Sequence, residues 1–178
     1  LSSNKSLTSG ILSSHPFALL LSSLKGESLP RGRTSVVAHI LPGVLVHVAH
    51  SGEEIWTVRA GTQRILDVFT LRTLCDIGDE YADGYVRFTI RSNIEYMVRD
   101  KDKVQPLIDA LEKEGFIVGG TKNSVAMISH TQGWLHYDIP GTDASGVVKA
   151  MMDELIDEFR NNDMPNRVHL TTSCCQIN

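Results

Sequence analysis

The pattern of hydrophobic and polar positions predicts β-strands in three stretches of the chain. The stretches "GVLVHVAH" and "EEIWTVRAG" are rich in apolar and β-branched residues, and Ser51-Gly52 between them is typical of a hairpin turn. Further on, "DGYVRFTIRSNIEYMV" alternates strictly, so we expect one continuous strand there. One face of that strand would carry Val86, Phe88, Ile90 and Ile94, and the other Arg87, Thr89, Arg91 and Asn93.

Two other stretches have apolar residues at helical spacing. In "TQRILDVFTLRTLCDIGDEY" we expect Thr62 to be the N-cap, and Cys75 to be a small buried residue of the apolar face. In "DKDKVQPLIDALEKEGF" we expect the helix to end at Gly115. The resulting order β-β-α-β-α indicates a ferredoxin-like α+β unit.

A second block begins near Gly119-Gly120. It contains the polar, aromatic loop "HTQGWLHYDIPGTDASG" and then a predicted helix over residues 145–161. "RVHLTTS" predicts a strand that leads to Cys174 and Cys175. The buried stripe of the helix would contain Val148, Met151, Met152, Leu155, Ile156 and Phe159, with the methionines as core residues.

Composition and charge exclude several classes of protein. The 178 residues suffice for one or two domains, and the net charge of −4 gives no overall basic field that would attract nucleic acid. No apolar run approaches the ~20 residues of a membrane helix. Three cysteines are too few for a secreted disulfide framework, so we expect a cytoplasmic protein.

The first residues differ in composition from the rest. Residues 1–29 are rich in serine and contain no acidic residue before Glu27. Such a segment is either a weak targeting sequence or a disordered leader. We expect the folded region to begin at about Ser35.

Three features could carry chemistry. Arg87, Thr89, Arg91 and Asn93 on one strand face would form an array of donors for carboxylates or oxyanions, or simply a solvated sheet face. Adjacent Cys174 and Cys175 offer soft ligands for an iron–sulfur cluster or zinc, or are inert thiols. The histidines of the loop, His130 and His136, could bind a metal or cofactor or have a structural role.

Five segments of the chain, taken in order, resemble one known family. They are "PGVLVHVA", "WTVRAGTQRIL", "LCDIGDEYADGYVRFTIRSNIEYMV", "ISHTQGWLHYDIPGTDASGVVKAMMDEL" and "SCCQIN". Together they are similar to the β subunit of dissimilatory sulfite reductase. The resemblance covers about residues 41–178 and leaves residues 1–40 unmatched, and we expect these to form a disordered leader.

The resemblance implies a fold, a reaction and partners. Residues 41–118 would form a ferredoxin-like half domain, and residues 119–178 the start of an α/β domain that holds sirohaem and a [4Fe–4S] cluster. Enzymes of this family interconvert sulfite and sulfide in a six-electron reaction. The resemblance further implies an α subunit in an α2β2 assembly and an electron-donor protein. Neither nucleic acid nor stable membrane insertion is implied.

The resemblance also implies site residues. In the family, the loop that matches "HTQGWLHY" ends in a cysteine ligand, a Cys-Cys pair follows, and a fourth cysteine lies three residues beyond the pair. Here Tyr137 occupies the first position, Cys174 and Cys175 the next two, and the fourth would follow Asn178. We therefore expect a fragment that alone holds no stable cluster and has no activity. The sirohaem residues would be Arg87, Thr89, Arg91, Asn93, His130, Thr131, Gln132, Gly133 and His136.

Two other functions remain open at this point. The chain could be a non-catalytic ferredoxin-like module that binds an anionic ligand or a partner through the arginine strand. A small zinc protein is a weaker alternative, because ligands of the right spacing are missing. The cysteine pair after the "HTQGW" loop favours the sulfite reductase family, whereas Tyr137 favours a degenerate or partial version of it.

Overall fold

The computed structural model describes residues 35–49, 51–131 and 139–175. Residues 1–34, which form most of the predicted leader, lie outside this range. The strands are β1 (Ser35–Leu41), β2 (Val44–Ala49), β3 (Glu54–Gly61), β4 (Val86–Phe88), β5 (Asn93–Val98), β6 (Ile117–Val118), β7 (Val125–His130) and β8 (Val168–Thr172). The α-helices are α1 (Val68–Tyr81), α2 (Val104–Lys113), α3 (Ala144–Glu154) and α4 (Ile156–Arg160).

Strands β1 to β6 form one sheet in the order β1-β2-β3-β5-β4, and β6 pairs with β3. The predicted β2–β3 hairpin is confirmed. Gly52 has a φ of +88°, which favours glycine, and its N–H donates to the carbonyl of Ala49 at 2.9 Å. The mixture of helices and strands confirms the predicted α+β class.

The apolar side of this sheet is covered by α1 and α2. Val58 and Ala60 of β3 and Ile94 and Tyr96 of β5 are buried there, and they meet the leucines that the helices contribute. The Tyr96 hydroxyl donates to the carbonyl of Leu74 in α1 at 3.0 Å. Because side chains alternate along a strand, the intervening residues of β3 and β5 face the other side of the sheet.

Helix α1 begins later than predicted, and the assignment of Thr62 as its N-cap was wrong. The N-cap is Asp67, whose carboxylate accepts from the backbone N–H groups of Phe69 and Thr70. Thr62 instead donates its hydroxyl to the carbonyl of Ser92 at 3.1 Å. The prediction that Cys75 is buried was also wrong, because α1 turns Leu74, Ile77 and Gly78 inward and leaves Cys75 exposed.

Helix α2 ends as predicted. Gly115 has a φ of +85°, and its N–H donates to the carbonyl of Glu112 at 3.0 Å. The N–H of Phe116 donates to the carbonyl of Leu111 at 2.9 Å. These two bonds form the Schellman arrangement that closes a helix on a left-handed glycine.

The prediction of one continuous strand over "DGYVRFTIRSNIEYMV" was wrong, because the chain reverses between Phe88 and Asn93. Strands β4 and β5 pair as an antiparallel hairpin, and the N–H of Thr89 donates to the carbonyl of Asn93 at 2.9 Å. Ser92 takes a φ of +55°, and Ile90 at the tip is 96% exposed. Strict alternation runs through both arms, so periodicity alone does not mark the reversal.

The second block is a two-stranded parallel sheet, β7-β8, joined by α3 and α4. The predicted strand over "RVHLTTS" is confirmed as β8. The predicted single helix over 145–161 is divided at Leu155, and Asp143 caps its first part by accepting from the N–H of Gly146 at 3.0 Å. The core of the block consists of Val125, Ile128 and Val148, against which Met151, Met152, Leu155, Met164, Val168 and Leu170 pack.

Phe159 of α4 lies against three glycines of the chain. Its ring would be 3.3 Å from a Cβ on Gly61 and 2.7 Å from a Cβ on Gly120. Its carbonyl would be 2.3 Å from a Cβ on Gly119 and accepts from the N–H of Gly120 at 2.8 Å. Gly119 and Gly120 therefore allow α4 to approach the end of β6 closely. Within the described ranges, no helix is long and apolar enough to cross a membrane.

Candidate functional site

The side of the first sheet opposite Tyr96 carries charged and amide groups, and we call it the polar face. It is formed by Arg59 of β3, Arg87 of β4 and Asn93 and Glu95 of β5. Strand register places Arg59 directly across from Glu95 on one side and Arg87 across from Glu95 on the other. Glu95 therefore lies between two guanidinium groups.

Each carboxylate oxygen of Glu95 binds one of the two arginines. Oε1 is 2.7 Å from Nε and 2.6 Å from Nη2 of Arg59. Oε2 is 2.8 Å from Nε of Arg87 and also accepts from its Nη2. Arg59 is buried and donates through Nη1 to the carbonyl of Gly120 at 2.7 Å, whereas the Arg87 side chain is 54% exposed.

The arrangement holds Glu95 ionised although it is fully buried. Burial by itself would raise the pKa of the Glu95 carboxyl, but the hydrogen bonds and charges of Arg87 and Arg59 outweigh burial and lower it. Two guanidinium groups and one carboxylate leave an excess of one positive charge. Burial and the charge of Arg87 lower the pKa of His47, on β2 of the same sheet, so His47 is neutral near pH 7 and adds no charge.

The four residues predicted to share a strand face are distributed over the hairpin instead. Arg87 and Asn93 lie on paired strands, whereas Thr89 and Arg91 lie in the turn between them. The Thr89 hydroxyl accepts from the N–H groups of Arg91 and Asn93, both at 3.3 Å. Asn93 is buried and donates from Nδ2 to the carbonyl of Ala126 in β7 at 3.4 Å, which joins the polar face to the second block.

The parallel pairing of β7 and β8 brings His130, Thr131 and Cys174 together at one edge, because parallel strands end on the same side. The Thr131 hydroxyl accepts from the N–H of Cys174 at 3.0 Å, and His130 Nδ1 is 2.7 Å from the carbonyl of Thr131. The Cys174 carbonyl accepts from the N–H of Gly141 at 2.7 Å. Cys174 is buried and Cys175 is half-buried.

Among the described residues, the possible metal ligands at this edge are His130, Cys174 and Cys175. Across residues 35–49, 51–131 and 139–175, no three His, Cys, Asp or Glu side chains are grouped as a metal site. The remaining predicted residues of the loop, namely Gln132, Gly133, His136 and Tyr137, lie outside the described residues. The described part of the chain therefore supplies two thiols toward a cluster that takes four cysteine ligands.

Apolar residues are exposed at the hairpin tip and at the start of α1. Ile65, Val68, Phe69, Leu71, Phe88 and Ile90 are all exposed. The last three line a groove of about 450 Å³ together with Thr62, Gln63, Arg64, Leu66, Thr89, Ser92 and Asn93. Sequence patterns did not predict this groove, because Phe88 and Ile90 were assigned to the apolar face of a single strand.

Sequence reasoning also missed Arg59, Glu95 and His47. The available signal was a single charged residue inside each of two otherwise apolar strands, "WTVRAG" and "NIEYMV". Opposite charges of this kind suggest cross-strand partners. Strand order and register, which the sequence does not show, decide whether they meet.

Comparison with known proteins finds several relatives of this chain. Residues 47–114 match the family model of the nitrite/sulfite reductase ferredoxin-like half domain. Over 143 residues the chain is 46% identical to the dissimilatory-type sulfite reductase subunit beta of Archaeoglobus fulgidus, which covers 76% of this chain and 39% of that protein. Over about three quarters of its length, the chain is similar to β subunits of dissimilatory-type sulfite reductase. The corresponding subunit of Nitratidesulfovibrio vulgaris is 43% identical over 141 residues, or 75% of this chain and 37% of that protein.

A solved structure supports the fold of this chain. The crystal structure of dissimilatory sulfite reductase I superposes with a TM-score of 0.71 at 14% identity, and covers 88% of this chain and 39% of that one. The ferredoxin-like half domain predicted from the sequence is thereby confirmed. The chain spans 39% and 37% of the lengths of the two curated relatives described above.

Proposed function

We propose that this chain is part of the β subunit of a dissimilatory-type sulfite reductase. That enzyme would interconvert sulfite and sulfide with six electrons at sirohaem coupled to a [4Fe–4S] cluster. The observation that carries the proposal is the polar face, whose positive charge exceeds its negative charge by one and which Asn93 joins to Ala126 of β7, the strand that leads to His130 and Thr131. Its partners would be an α subunit in an α2β2 assembly and an electron-donor protein.

The polar face fits the chemistry of sirohaem. This macrocycle carries eight carboxylates, and guanidinium groups bind carboxylates with paired N–H donors. Arg87 is half-exposed and fixed by Glu95, and Arg91 lies nearby in the hairpin turn. We propose that both bind propionate or acetate groups of the macrocycle. His130 and Thr131, at the end of β7, would border the same cofactor.

The chain's own residues would contribute binding, orientation and charge. Sirohaem, when bound, supplies the redox chemistry of the sulfur centre. The arginines would orient the macrocycle through its carboxylates, and their positive charge would favour the approach of an anionic substrate. Glu95 keeps two buried or half-buried cations from repelling each other.

The described residues do not complete a [4Fe–4S] site. Cys174 and Cys175 correspond to two of the family's four cysteine positions, and Tyr137 occupies a third. We therefore assign no electron-transfer step to a cluster on this chain. Cys174 and Cys175 would be its two ligands in a complete site.

The proposal is tested by titrating the purified chain with sirohaem and recording the absorption bands of the bound cofactor. We expect saturable binding by the wild type. An Arg87→Ala and Arg91→Ala double variant should bind at least about tenfold more weakly, because two charge-assisted carboxylate contacts are lost. Arg99→Ala, which removes an exposed arginine beyond the end of β5, is the matched control and should bind like the wild type.

One result would favour the alternative function. If the chain is folded by circular dichroism but takes up no sirohaem, alone or with a co-expressed α subunit, then it is not a cofactor-binding subunit. Binding of simple oxyanions or of a protein partner by the same chain would then identify it as a non-catalytic ferredoxin-like module.

A further inference from the structure

Glu95 is a buried carboxylate to which the proposed reaction assigns no chemical step. It is fully buried, and both of its oxygens are occupied by guanidinium groups. Burying charges costs free energy that their mutual attraction only partly offsets, so a buried trio of this kind contributes little to stability in comparison with an apolar core. What the trio does achieve is a fixed position for its one exposed member, Arg87.

Arg87 would otherwise be a mobile side chain. It belongs to β4, a strand of three residues at the end of the sheet order, and its side chain is 54% exposed. Exposed arginines sample many rotamers, and a ligand that binds one must immobilise it. Because Oε2 of Glu95 accepts from both Nε and Nη2 of Arg87, the Arg87 side chain is already held in one orientation before a ligand binds.

The bond to Glu95 leaves part of the Arg87 guanidinium available for a ligand. Nη1 makes no hydrogen bond to the part of the chain that the structure describes, and the group remains half-exposed. A guanidinium can bind one carboxylate along one edge and a second anion along another, since it has five N–H donors in a plane. Glu95 therefore orients Arg87 without using all of its donors.

Arg59 holds Glu95 in place from the buried side. It binds Oε1 through Nε and Nη2, and it is itself tied to the carbonyl of Gly120 through Nη1. Arg59 also supplies the second positive charge, so the trio remains cationic overall although Glu95 is ionised. The chain of contacts Gly120, Arg59, Glu95 and Arg87 thus runs from the rigid end of β6 to the exposed guanidinium.

We propose that Glu95 is a positioning residue for the bound cofactor, which it affects only through Arg87. The inference rests on the proposed function, in which Arg87 binds a carboxylate of the tetrapyrrole. Glu95 does not touch the cofactor itself. It fixes the guanidinium in the orientation that the carboxylate requires, and Arg59 fixes Glu95.

The test is a double-mutant cycle on sirohaem affinity, measured by absorption titration of the full chain. Glu95→Asp keeps the buried negative charge but is one methylene too short to contact both arginines. We expect it to raise the Kd for sirohaem about three- to tenfold, which corresponds to the freedom regained by one long side chain. In an Arg87→Lys background, the same Glu95→Asp change should have no further effect, because Lys lacks the paired donors that Glu95 orients.

Two controls distinguish a loss of Arg87 positioning from a loss of folding. Glu112→Gln removes an exposed carboxylate from α2 and should leave the Kd unchanged. Thermal unfolding of each variant establishes that it is folded at the temperature of the titration. Should Glu95→Asp fail to fold, a Glu95→Gln variant with Arg59→Met, which removes the unpaired buried cation, takes its place in the cycle.

The outcomes distinguish two failures. If the wild-type chain takes up no sirohaem, either alone or with a co-expressed α subunit, the proposed function fails, and the positioning role fails with it. If wild-type chain binds but folded Glu95→Asp binds equally well, the positioning role alone is overturned. The positioning role is also overturned if Glu95→Asp weakens sirohaem binding by the same factor in the wild-type and the Arg87→Lys backgrounds. Glu95 would then affect binding without acting through Arg87.

Discussion

At the scale of single residues, Glu95 is a buried carboxylate that binds both Arg59 and Arg87. Replacing it by Gln would leave Arg59 buried without its counter-ion. We expect Glu95→Gln to lower the free energy of unfolding by about 3 kcal/mol or more, as is typical when one partner of a buried ion pair is removed. Urea unfolding followed by circular dichroism measures this loss, and Glu112→Gln should show almost none.

The loss of unfolding free energy caused by Glu95→Gln should depend on pH. Arg87 and Arg59 lower the pKa of folded Glu95 below its usual value of 4.5, despite the opposing effect of burial. The stability that ionised Glu95 contributes is therefore fully present above pH 4.5 and is lost as the pH falls through the lowered pKa. The difference in unfolding free energy between wild type and Glu95→Gln should shrink below pH 4.5. A constant difference there would contradict the conclusion that folded Glu95 is ionised by its arginine partners.

The roles of single residues could be predicted from the sequence where they depend only on adjacent residues of the chain. Gly115 as the end of α2 and Ser51-Gly52 as a turn follow from local backbone chemistry, and both predictions are confirmed. The trio around Glu95 depends on β3 and β4 flanking β5 in one register. That arrangement joins residues far apart in the sequence, so no local pattern specifies it.

At the scale of elements, the β4–β5 hairpin decides which apolar residues belong to the core. Ile90 is 96% exposed at the tip, whereas Ile94 in β5 is completely buried. We expect Ile90→Ala to change the unfolding free energy by less than about 0.5 kcal/mol. Ile94→Ala should cost roughly 2–5 kcal/mol, because it leaves a cavity in the core.

Urea unfolding of the two variants checks this difference. In a continuous strand, both isoleucines would lie on the same buried face, and their substitution would cost similar amounts. Comparable losses for Ile90→Ala and Ile94→Ala would therefore contradict the hairpin. The sequence could not settle the point, because two strands of alternating pattern joined by a short turn look like one longer strand.

Helix boundaries show a similar limit. The apolar spacing around Ile65 and Leu66 extended the predicted helix N-terminally to Thr62, yet α1 begins at Val68 after the Asp67 cap. The misassigned Cys75 has the same origin, since a shift in the inward face of a helix by one position exchanges buried and exposed residues. Local propensity indicated that a helix exists, and packing determined its start and its inner face.

At the scale of the whole molecule, the family relationship sets an expectation for iron content. In the proposed function, Cys174 and Cys175 would be two of four cysteine ligands, and Tyr137 would occupy the position of a third. Anaerobic reconstitution with iron and sulfide should give fewer than about four irons per chain, and any bound iron should be removed readily by a chelator. Iron and acid-labile sulfide analysis measures this, and about four stable irons per chain would overturn it.

A Tyr137→Cys variant refines the same experiment. In the proposed function, this change would supply a third cysteine ligand, and it leaves the residues of the described strands unchanged. We expect it to retain more iron than the wild type after gel filtration, because thiolate is the preferred ligand of these clusters. Cys75→Ser, which alters an exposed thiol on α1, is the control and should leave the iron content unchanged.

The parallel pairing of β7 with β8 has a consequence for biosynthesis. Val125 pairs with Val168, so β7 leaves the ribosome well before its partner exists, whereas every strand of the first sheet has been made by Val118. At about 5–20 residues per second, this interval lasts several seconds. The first sheet can fold co-translationally during that time, while β7 still lacks its partner strand and exposes an unpaired edge that favours aggregation. Slower translation of this region would prolong that exposure and lower the yield of folded chain.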